Sequence, residues 1–434
     1  MIAAFCLTES GSGSDAASIR TRAARNSDGS WTLNGEKIWI TNGGIADLYT
    51  VFARTESEGG KITAFLVEAH WPGVSHGQHE DKMGIRASST TTVSFNEVRV
   101  PRENVLDAEG KGFKVAMAIL NNGRTGLGGG AVGGMKSLIA LAVNQAQTRK
   151  QFGEPIAGFE LIQEKIAQMT IDCFAAESVV WMVAHYIDSG REDYSVEAAM
   201  SKVYASEAIQ RTAYEALQIA AGSGFMREYP YEQATRDCRI LTIFEGTNEV
   251  LRLYIALSGL KDIGKSLGEL KTAVDAIFNH PIKGFGVLSD YTGRRLTQAT
   301  GVGRDKLVGK LPAQLREAAD TYEKYTVALA KAGDYLLRQY GKGIASRQSA
   351  LKRLADLAID LFIGFCVLSR ASALASQPGD SGSRAVSVAQ VFARQARRRM
   401  ANNMRRIERN EDEEMSLLAG FIVDKGRYPW DVVP

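Results

Sequence analysis

Thr91-Thr92-Val93-Ser94-Phe95-Asn96-Glu97-Val98-Arg99-Val100-Pro101, with Gly112-Phe113-Lys114-Val115-Ala116-Met117-Ala118-Ile119-Leu120 shortly after it, decides the fold class. The first run is rich in β-branched and aromatic residues and is stopped by a proline, which has no N–H for a ladder. The second begins a helix, so the hydrophobic period changes from two to 3.6 between them. The chain is read as α+β, a small antiparallel β-domain followed by a four-helix-type bundle and an extra C-terminal helical domain.

Upstream of this junction, Tyr49-Thr50-Val51-Phe52-Ala53 and Ile62-Thr63-Ala64-Phe65-Leu66-Val67 read as strands. Trp31-Thr32-Leu33-Asn34-Gly35 and Ile38-Trp39-Ile40-Thr41-Asn42-Gly43 each place an Asn-Gly turn after a strand. Residues 1–108 are therefore expected to form the β-domain, as a barrel or sandwich. Downstream, helical spacing is expected from Gly134 to Gln151, Ile162 to Asp188, Ser195 to Gly222 and Thr247 to Leu260, within a bundle spanning 109–262. In the additional domain, 263–434, Leu351, Leu354, Ala358, Leu361, Phe365 and Leu368 share one helix face. Ser376 to Ser383 reads as a linker, and a basic helix follows it from Arg394 to Arg406.

The chain has 434 residues, 45% hydrophobic and 23% charged, with a formal net charge of +3. That balance gives no argument for nucleic acid over the whole surface. Cys6, Cys173, Cys238 and Cys366 form no C-x-x-C pair, so no metal site or disulfide framework is expected, and a reducing compartment is the default. No uninterrupted apolar run approaches the ~18 residues of a membrane span, and no integral membrane segment is expected.

Gly11-Ser12-Gly13-Ser14-Asp15-Ala16 fits the G-x-G-x-x-A pattern of a dinucleotide turn, but strands follow it where that motif needs a helix. A Rossmann domain is thereby disfavoured. The sharper feature is Ile243-Phe244-Glu245-Gly246-Thr247-Asn248-Glu249, a carboxylate between an aromatic and a glycine, before a Thr-Asn pair able to cap a helix. Apolar neighbours raise a carboxyl pKa, which suits Glu245 to a general base. The plain reading is an acid placed near a helix N-terminus.

Taken in order, Cys6-Leu7-Thr8-Glu9 with Gly13-Ser14-Asp15, Trp39-Ile40-Thr41-Asn42, Gly84-Ile85-Arg86 and Val98-Arg99-Val100-Pro101 resemble the β-domain of the acyl-CoA dehydrogenases. Arg149 with Gln151-Phe152-Gly153, Gln218 with Gly222 and Gly224-Phe225, Arg236-Asp237 and Phe244-Glu245-Gly246-Thr247-Asn248 resemble that family's later motifs. Leu120-Asn121-Asn122-Gly123-Arg124 and the region after Lys261 are most similar to its very-long-chain branch. The glycine-rich run Gly126 to Gly134 is costly in a helix, about 1 kcal/mol per glycine. It leaves either room for a long acyl chain or a close helix crossing.

The resemblance implies FAD as cofactor, long or very-long-chain fatty acyl-CoA as substrate, and α,β-dehydrogenation in fatty acid β-oxidation. Glu245 would take the α-proton while the β-hydrogen leaves as hydride to the flavin, the carbonyl being polarised by the Glu245 N–H and a ribityl hydroxyl. Thr8, Trp39 and Thr41 would line the flavin ring. Arg149, Phe152, Gln218 and Gly222 would serve the pyrophosphate and adenosine, reaching a neighbouring subunit's FAD. Thr247 and Glu249 would also approach FAD. Ser14, Asn121 and Arg124 would face the acyl-CoA.

Implied partners are electron-transfer flavoprotein and a second copy in a homodimer. The Arg397 to Arg406 cluster is read first as a solvated helix face, with a peripheral contact to an anionic membrane as the functional alternative. Implied compartments are the mitochondrion for a eukaryotic chain, or a bacterial cytoplasm with contact at the inner membrane. An acyl-CoA oxidase and a non-catalytic assembly protein are the rival readings. Family members carry a helical domain before the β-domain, which this sequence is read as lacking. The purified 434-residue chain is accordingly expected to retain FAD weakly; stoichiometric FAD with normal turnover would refute that.

Overall fold

The computed structural model describes residues 1–55, 60–263, 311–377 and 379–430. Two compact units divide the described chain between Leu251 and Arg252. The first holds both the β-region and the bundle.

Strands β1 (Ala3–Cys6), β2 (Arg22–Arg25), β3 (Trp31–Thr41), β4 (Leu48–Thr55), β5 (Ile62–Glu68), β6 (Val74–His76), β7 (Thr90–Val100) and β8 (Val105–Leu106) form one sheet. Its order is β6-β7-β3-β2-β4-β5-β8, with β1 beside β4. Most pairings are antiparallel, as expected, but β4 runs parallel to both β1 and β2, so the sheet is mixed. The expected turn at Asn34-Gly35 is instead an irregularity within the single long strand β3. Asn34 Oδ1 accepts the Glu97 N–H (2.8 Å), which satisfies across the β7 edge what a turn would have satisfied locally. Gly35 (φ +150°) is required there, since a Cβ would lie 2.5 Å from Thr21 Oγ1. The second Asn-Gly pair does turn the chain, with Asn42 at φ +64°.

Strands β4 and β5 are covered on both faces. Tyr49, Val51, Ala53, Phe65 and Val67 enter one core, while Phe52, Ile62 and Ala64 enter another with Leu7, Ile19 and Ala116. Period-two alternation thus feeds two cores, and Ala116 brings the first helix onto the second of them.

That helix, α1 (Gly112–Thr148), runs unbroken through the glycine-rich run, rather than restarting at Gly134. Its first residue lies so close to β5 that a Cβ would fall 2.5 Å from the Thr63 carbonyl carbon. It ends where Arg149 becomes extended, ahead of a hairpin of β9 (Lys150–Gln151) and β10 (Glu154–Pro155). Phe152 and Gly153, both at positive φ, form its tip. Helices α2 (Glu160–Asp188) and α3 (Ser195–Ala220) pack with α1 into the bundle, followed by α4 (Gly222–Phe225), α5 (Pro230–Cys238) and α6 (Asn248–Ile263).

The glycines of α1 divide into two sets. A Cβ on Gly128 would meet Val180 Cγ2 at 2.9 Å and Ser201 Oγ at 3.1 Å, and one on Gly134 would meet Ile209 Cδ1 at 2.8 Å. Those two permit the close crossing. Gly126, Gly129, Gly130 and Gly133 have nothing within 4 Å. Bundle and sheet are joined at Gly84-Ile85: the Ile85 N–H donates to Asp237 Oδ1 (2.6 Å) and Arg236 donates to the Met83 carbonyl (2.9 Å).

The second unit contains, among the described residues, α6 from Arg252 onward, α7 (Arg316–Tyr340), α8 (Gln348–Ala375), α9 (Asp380–Glu408) and α10 (Asp412–Lys425). Leu351, Leu354, Ala358, Leu361 and Leu368 are buried along α8, as their spacing predicted, and the half-buried Phe365 rests its ring on Tyr322. Helix α9 starts inside the expected Ser376–Ser383 linker, after Gly379 at φ +103°. The glycine-rich stretches of residues 284–286 and 301–303 lie outside the described residues.

Three helices, α1, α2 and α8, are long and apolar enough by length and composition to cross a membrane, contrary to the count of uninterrupted apolar residues. Their bundles use part of that apolarity, with 33%, 50% and 61% of the respective windows buried. The two glycine sets should respond oppositely. Gly130→Ala is expected to stabilise the protein by about 0.5–1 kcal/mol, and Gly128→Val to destabilise it by roughly 1–3 kcal/mol, read by urea unfolding.

Candidate active site

Glu245 sits in a turn that an L-residue rarely adopts. Its φ is +60°, that of Gly246 is +88°, and the two separate a short 3-10 turn (Arg239–Thr242) from α6. Left-handed backbone at a non-glycine residue costs on the order of 1 kcal/mol and persists only where its surroundings hold it.

Two cations hold this one. Arg124 of α1, buried, donates from Nε to the Glu245 carbonyl (3.2 Å) and from Nη1 to Asn121 Oδ1 (3.0 Å). Lys202 of α3, fully buried, donates from Nζ to the Gly246 carbonyl (2.8 Å) and to Asn248 Oδ1 (2.8 Å). Asn248 in turn donates to Ser206 Oγ (3.0 Å) and Glu207 Oε1 (3.1 Å). Thr247 caps α6, its hydroxyl accepting the Val250 N–H (3.3 Å), as the sequence pattern indicated.

The carboxylate itself is directed at Gly123 of α1, where a Cβ would fall 2.8 Å from both Glu245 oxygens. Its Oε2 is buried and finds no hydrogen-bond partner among the described residues. Desolvation pushes the Glu245 pKa up, and the Arg124 and Lys202 charges partly offset that rise. Burial, with Arg124 nearby, lowers the Lys202 pKa to about 8, against the attraction of Glu245, Glu207 and Glu249. A half-buried acid with one oxygen buried and unpartnered, beside two cations, can exchange a proton with a ligand, and the cations can stabilise developing negative charge.

Asn121, Arg124, Glu245 and Thr247 are therefore brought into one neighbourhood. Glu249 follows them on the first turn of α6, exposed. The remaining residues named from sequence lie in three other places. The first is the C-terminal end of β3 and its neighbouring loop: Trp39 is 64% exposed at φ +56°, Thr41 is exposed and paired with Thr90, and the Thr8 carbonyl accepts the Ile38 N–H (2.9 Å). Ser14 is exposed on the same loop as Thr8.

That loop is fixed from beneath by a buried ion pair. Lys37 donates to Glu9 Oε1 (2.7 Å) and to the Leu7 carbonyl (3.1 Å), while the Glu9 carboxylate also accepts the N–H groups of Arg20 (2.6 Å) and Thr21 (3.0 Å). The second place is the β9–β10 hairpin, where Phe152 is 96% exposed and Arg149 is exposed at its base. The third is the end of α3, where Gln218 and Gly222 are exposed on either side of Ala221 at φ +51°.

Sequence reasoning missed Lys202 and Gly123. A signal for the first was present: Ala198-Ala199-Met200-Ser201-Lys202-Val203-Tyr204-Ala205 is a small and apolar run with one charge inside it. A lysine so placed is either at a helix edge or buried with acceptors.

The first unit thus joins a sheet to a helical bundle, and within the bundle a carboxylate stands on a left-handed turn held from α1 and α3. Residues 4–98 match the model of the acyl-CoA dehydrogenase middle domain, 110–260 that of the acyl-CoA dehydrogenase C-terminal domain, and 313–428 that of the ACAD9/ACADV C-terminal domain. The human mitochondrial very long-chain specific acyl-CoA dehydrogenase is 47% identical over 380 residues, 86% of this chain and 57% of that protein. The bovine protein of the same description is 44% identical over 429 residues, 97% of this chain and 65% of its own. The crystal structure of an acyl-CoA dehydrogenase complexed with FAD from Bacillus anthracis superposes with a TM-score of 0.81 at 31% identity, covering 99% of this chain and 73% of that one. The chain belongs to the acyl-CoA dehydrogenase family. It spans 57% to 65% of the length of these two very-long-chain relatives.

The raised Glu245 pKa has a sign that can be checked. The native state binds this proton more tightly than the unfolded chain, so the contribution to stability is full below about pH 4.3 and is lost as pH rises through the folded value. Glu245→Gln should therefore raise the thermal midpoint at pH 7, by on the order of 2 °C, and leave it unchanged near pH 4. A lower midpoint at pH 7 would contradict the assignment of a desolvated carboxyl.

Proposed function

We propose that this chain carries out FAD-dependent α,β-dehydrogenation of long or very-long-chain fatty acyl-CoA thioesters, in fatty acid β-oxidation, with Glu245 as the base. The observation that carries the reading is the buried, unpartnered Oε2 of Glu245 on a turn held by Arg124 and Lys202. With Oε2 already buried and unpartnered, the carboxylate has part of its desolvation in place before an acyl chain arrives, and its raised pKa suits proton abstraction. With both turn carbonyls committed to cations, the turn keeps its shape without help from the ligand.

The residues present fit FAD. Trp39 offers a largely exposed indole near the end of β3, with the Thr41 and Thr8 hydroxyls for polar ring atoms. Thr91 Oγ1 and Ser89 Oγ are buried without partners among the described residues, on β7 and the loop before it. Arg149, Phe152, Gln218 and Gly222 offer an exposed cation, an aromatic face, an amide and open backbone suited to pyrophosphate and adenosine. Thr247 and Glu249 would approach the same cofactor. FAD, when bound, supplies the acceptor for the β-hydrogen as hydride.

Ser14, Asn121 and Arg124 would face the acyl-CoA. The preference for long chains is supported by Gly126, Gly130 and Gly133, a side-chain-free strip beginning at Gly123 beneath Glu245 and continuing for about 15 Å at 1.5 Å per residue. The exposed Phe152 and Arg149 are read as facing a second copy, and electron-transfer flavoprotein as the electron acceptor. The compartment follows the family: mitochondrial in a eukaryote, cytoplasmic in a bacterium. A peripheral contact of α9 with an anionic membrane keeps fewer charges than its sequence suggested, because Arg399 is paired with Asp360 (2.6 Å) and Arg406 with Glu411 (3.3 Å).

With FAD in excess and oxygen excluded, palmitoyl-CoA should bleach the flavin absorbance, and Glu245→Gln should slow that by about 10³-fold with FAD binding unchanged. Unchanged bleaching in the variant would remove Glu245 as base. Peroxide formed stoichiometrically under air would instead assign an oxidase.

A further inference from the structure

The geometry points to Lys202 as a positioning residue for Glu245: its buried ammonium pins the Gly246 carbonyl and the Asn248 side chain, and so holds the left-handed turn that aims the carboxylate at Gly123. The inference rests on the reading of Glu245 as the base, and it concerns a residue that neither sequence motif nor cofactor contact would single out.

Three observations converge on it. Lys202 has no exposed surface, so its charge has lost its water, and the surrounding structure compensates with two acceptors at 2.8 Å, both in the Glu245 turn region. Removing a partner from a buried charge is expensive, so the turn and the lysine constrain each other. The neighbouring carbonyl, that of Glu245, is taken by Arg124 from the opposite helix of the bundle, α1. Consecutive carbonyls are thereby drawn to cations on two different helices, which fixes the peptide planes between them and with them the exit direction of the Glu245 side chain. Finally, Asn248 is itself braced by Ser206 and Glu207, one helical turn along α3 from Lys202, so that α3 grips the start of α6 at three points.

The lysine also acts on the base through space. The charged groups bearing on Lys202 are Arg124 on α1, Glu207 on its own helix, Glu245 in the turn and Glu249 on α6. Those bearing on Glu245 are Arg124 and Lys202. A cation near a carboxyl favours its ionised form, so loss of Lys202 would move Glu245 further up. A lysine that stabilised the fold away from this turn, by contrast, would change stability and leave the titration of Glu245 where it is.

The experiment compares the 434-residue chain, loaded with FAD, with its Lys202→Met and Lys202→Arg variants. The Glu245 carboxyl is titrated by ¹³C NMR in glutamate-labelled protein, assigned by the signal lost in Glu245→Gln, and palmitoyl-CoA bleaching is followed against pH. Lys202→Met is expected to shift the Glu245 titration and the acidic limb of the bleaching rate upward together. It should slow bleaching at neutral pH about tenfold, with acyl-CoA affinity within about twofold of the parent. Lys202→Arg is expected to restore the titration. Should Lys202→Met not fold, Lys202→Gln, which keeps a donor without the charge, is read against the same two outcomes. A folded uncharged variant with an unmoved Glu245 titration and an unmoved pH limb overturns the inference, whatever its stability. Absence of bleaching in the parent chain would count against dehydrogenation itself, while the NMR titration would still decide the link between Lys202 and Glu245.

Discussion

The carbonyls of Glu245 and Gly246 are held by Arg124 and Lys202, two buried cations carried on different helices. Neither cation is tolerable where it lies without acceptors, and the turn, left-handed at both residues, is not tolerable without something to hold it. Each part removes the other's penalty. Because α1 and α3 must present Arg124 and Lys202 at matching heights, the register of the bundle and the shape of the turn are one constraint.

The glycines of α1 serve the same arrangement. Gly128 and Gly134 let α1 approach α2 and α3 closely enough for the cations to reach their carbonyls, and Gly123 leaves the space into which the carboxylate points. The sequence reading had to choose between a close crossing and an open channel for the whole run. The close crossing takes Gly128 and Gly134, while a Cβ at Gly126, Gly129, Gly130 or Gly133 would meet nothing within 4 Å, since residues three and four apart share a face while intervening ones do not. The cost in helix propensity is met by tertiary packing on one side only, and the other side is left bare.

The β-region contributes in a similar way. Glu9 and Lys37, buried against each other, secure the loop carrying Thr8 and Ser14 beside β3, where Trp39 stands exposed. Burial pushes the Glu9 pKa up, but the hydrogen bonds from Lys37, the Thr21 hydroxyl and the backbone N–H groups of Arg20 and Thr21 outweigh it and hold that pKa below its ordinary value. In the second unit the exposed Arg399 pairs with the buried Asp360, so one arginine of the basic helix is engaged by a neighbouring helix while remaining at the surface.

Sequence alone determined the change from strand to helix after Pro101, the buried face of α8, the cap at Thr247 and the ordered motifs that mark the family, because each depends on local periodicity or on residues adjacent in the chain. The tertiary structure decided the rest. It made Asn34-Gly35 a bulge instead of a turn, because Glu97 and Thr21, distant in sequence, occupy the space a turn would have used. It carried α1 through its glycines, because Val180, Ser201 and Ile209 reward the close approach. It also gave Glu245 its chemistry: a single carboxylate in a motif acquires a raised pKa and a fixed direction only when Arg124, Lys202 and Gly123 arrive from other helices, and burial of that kind has no signature at the level of neighbouring residues.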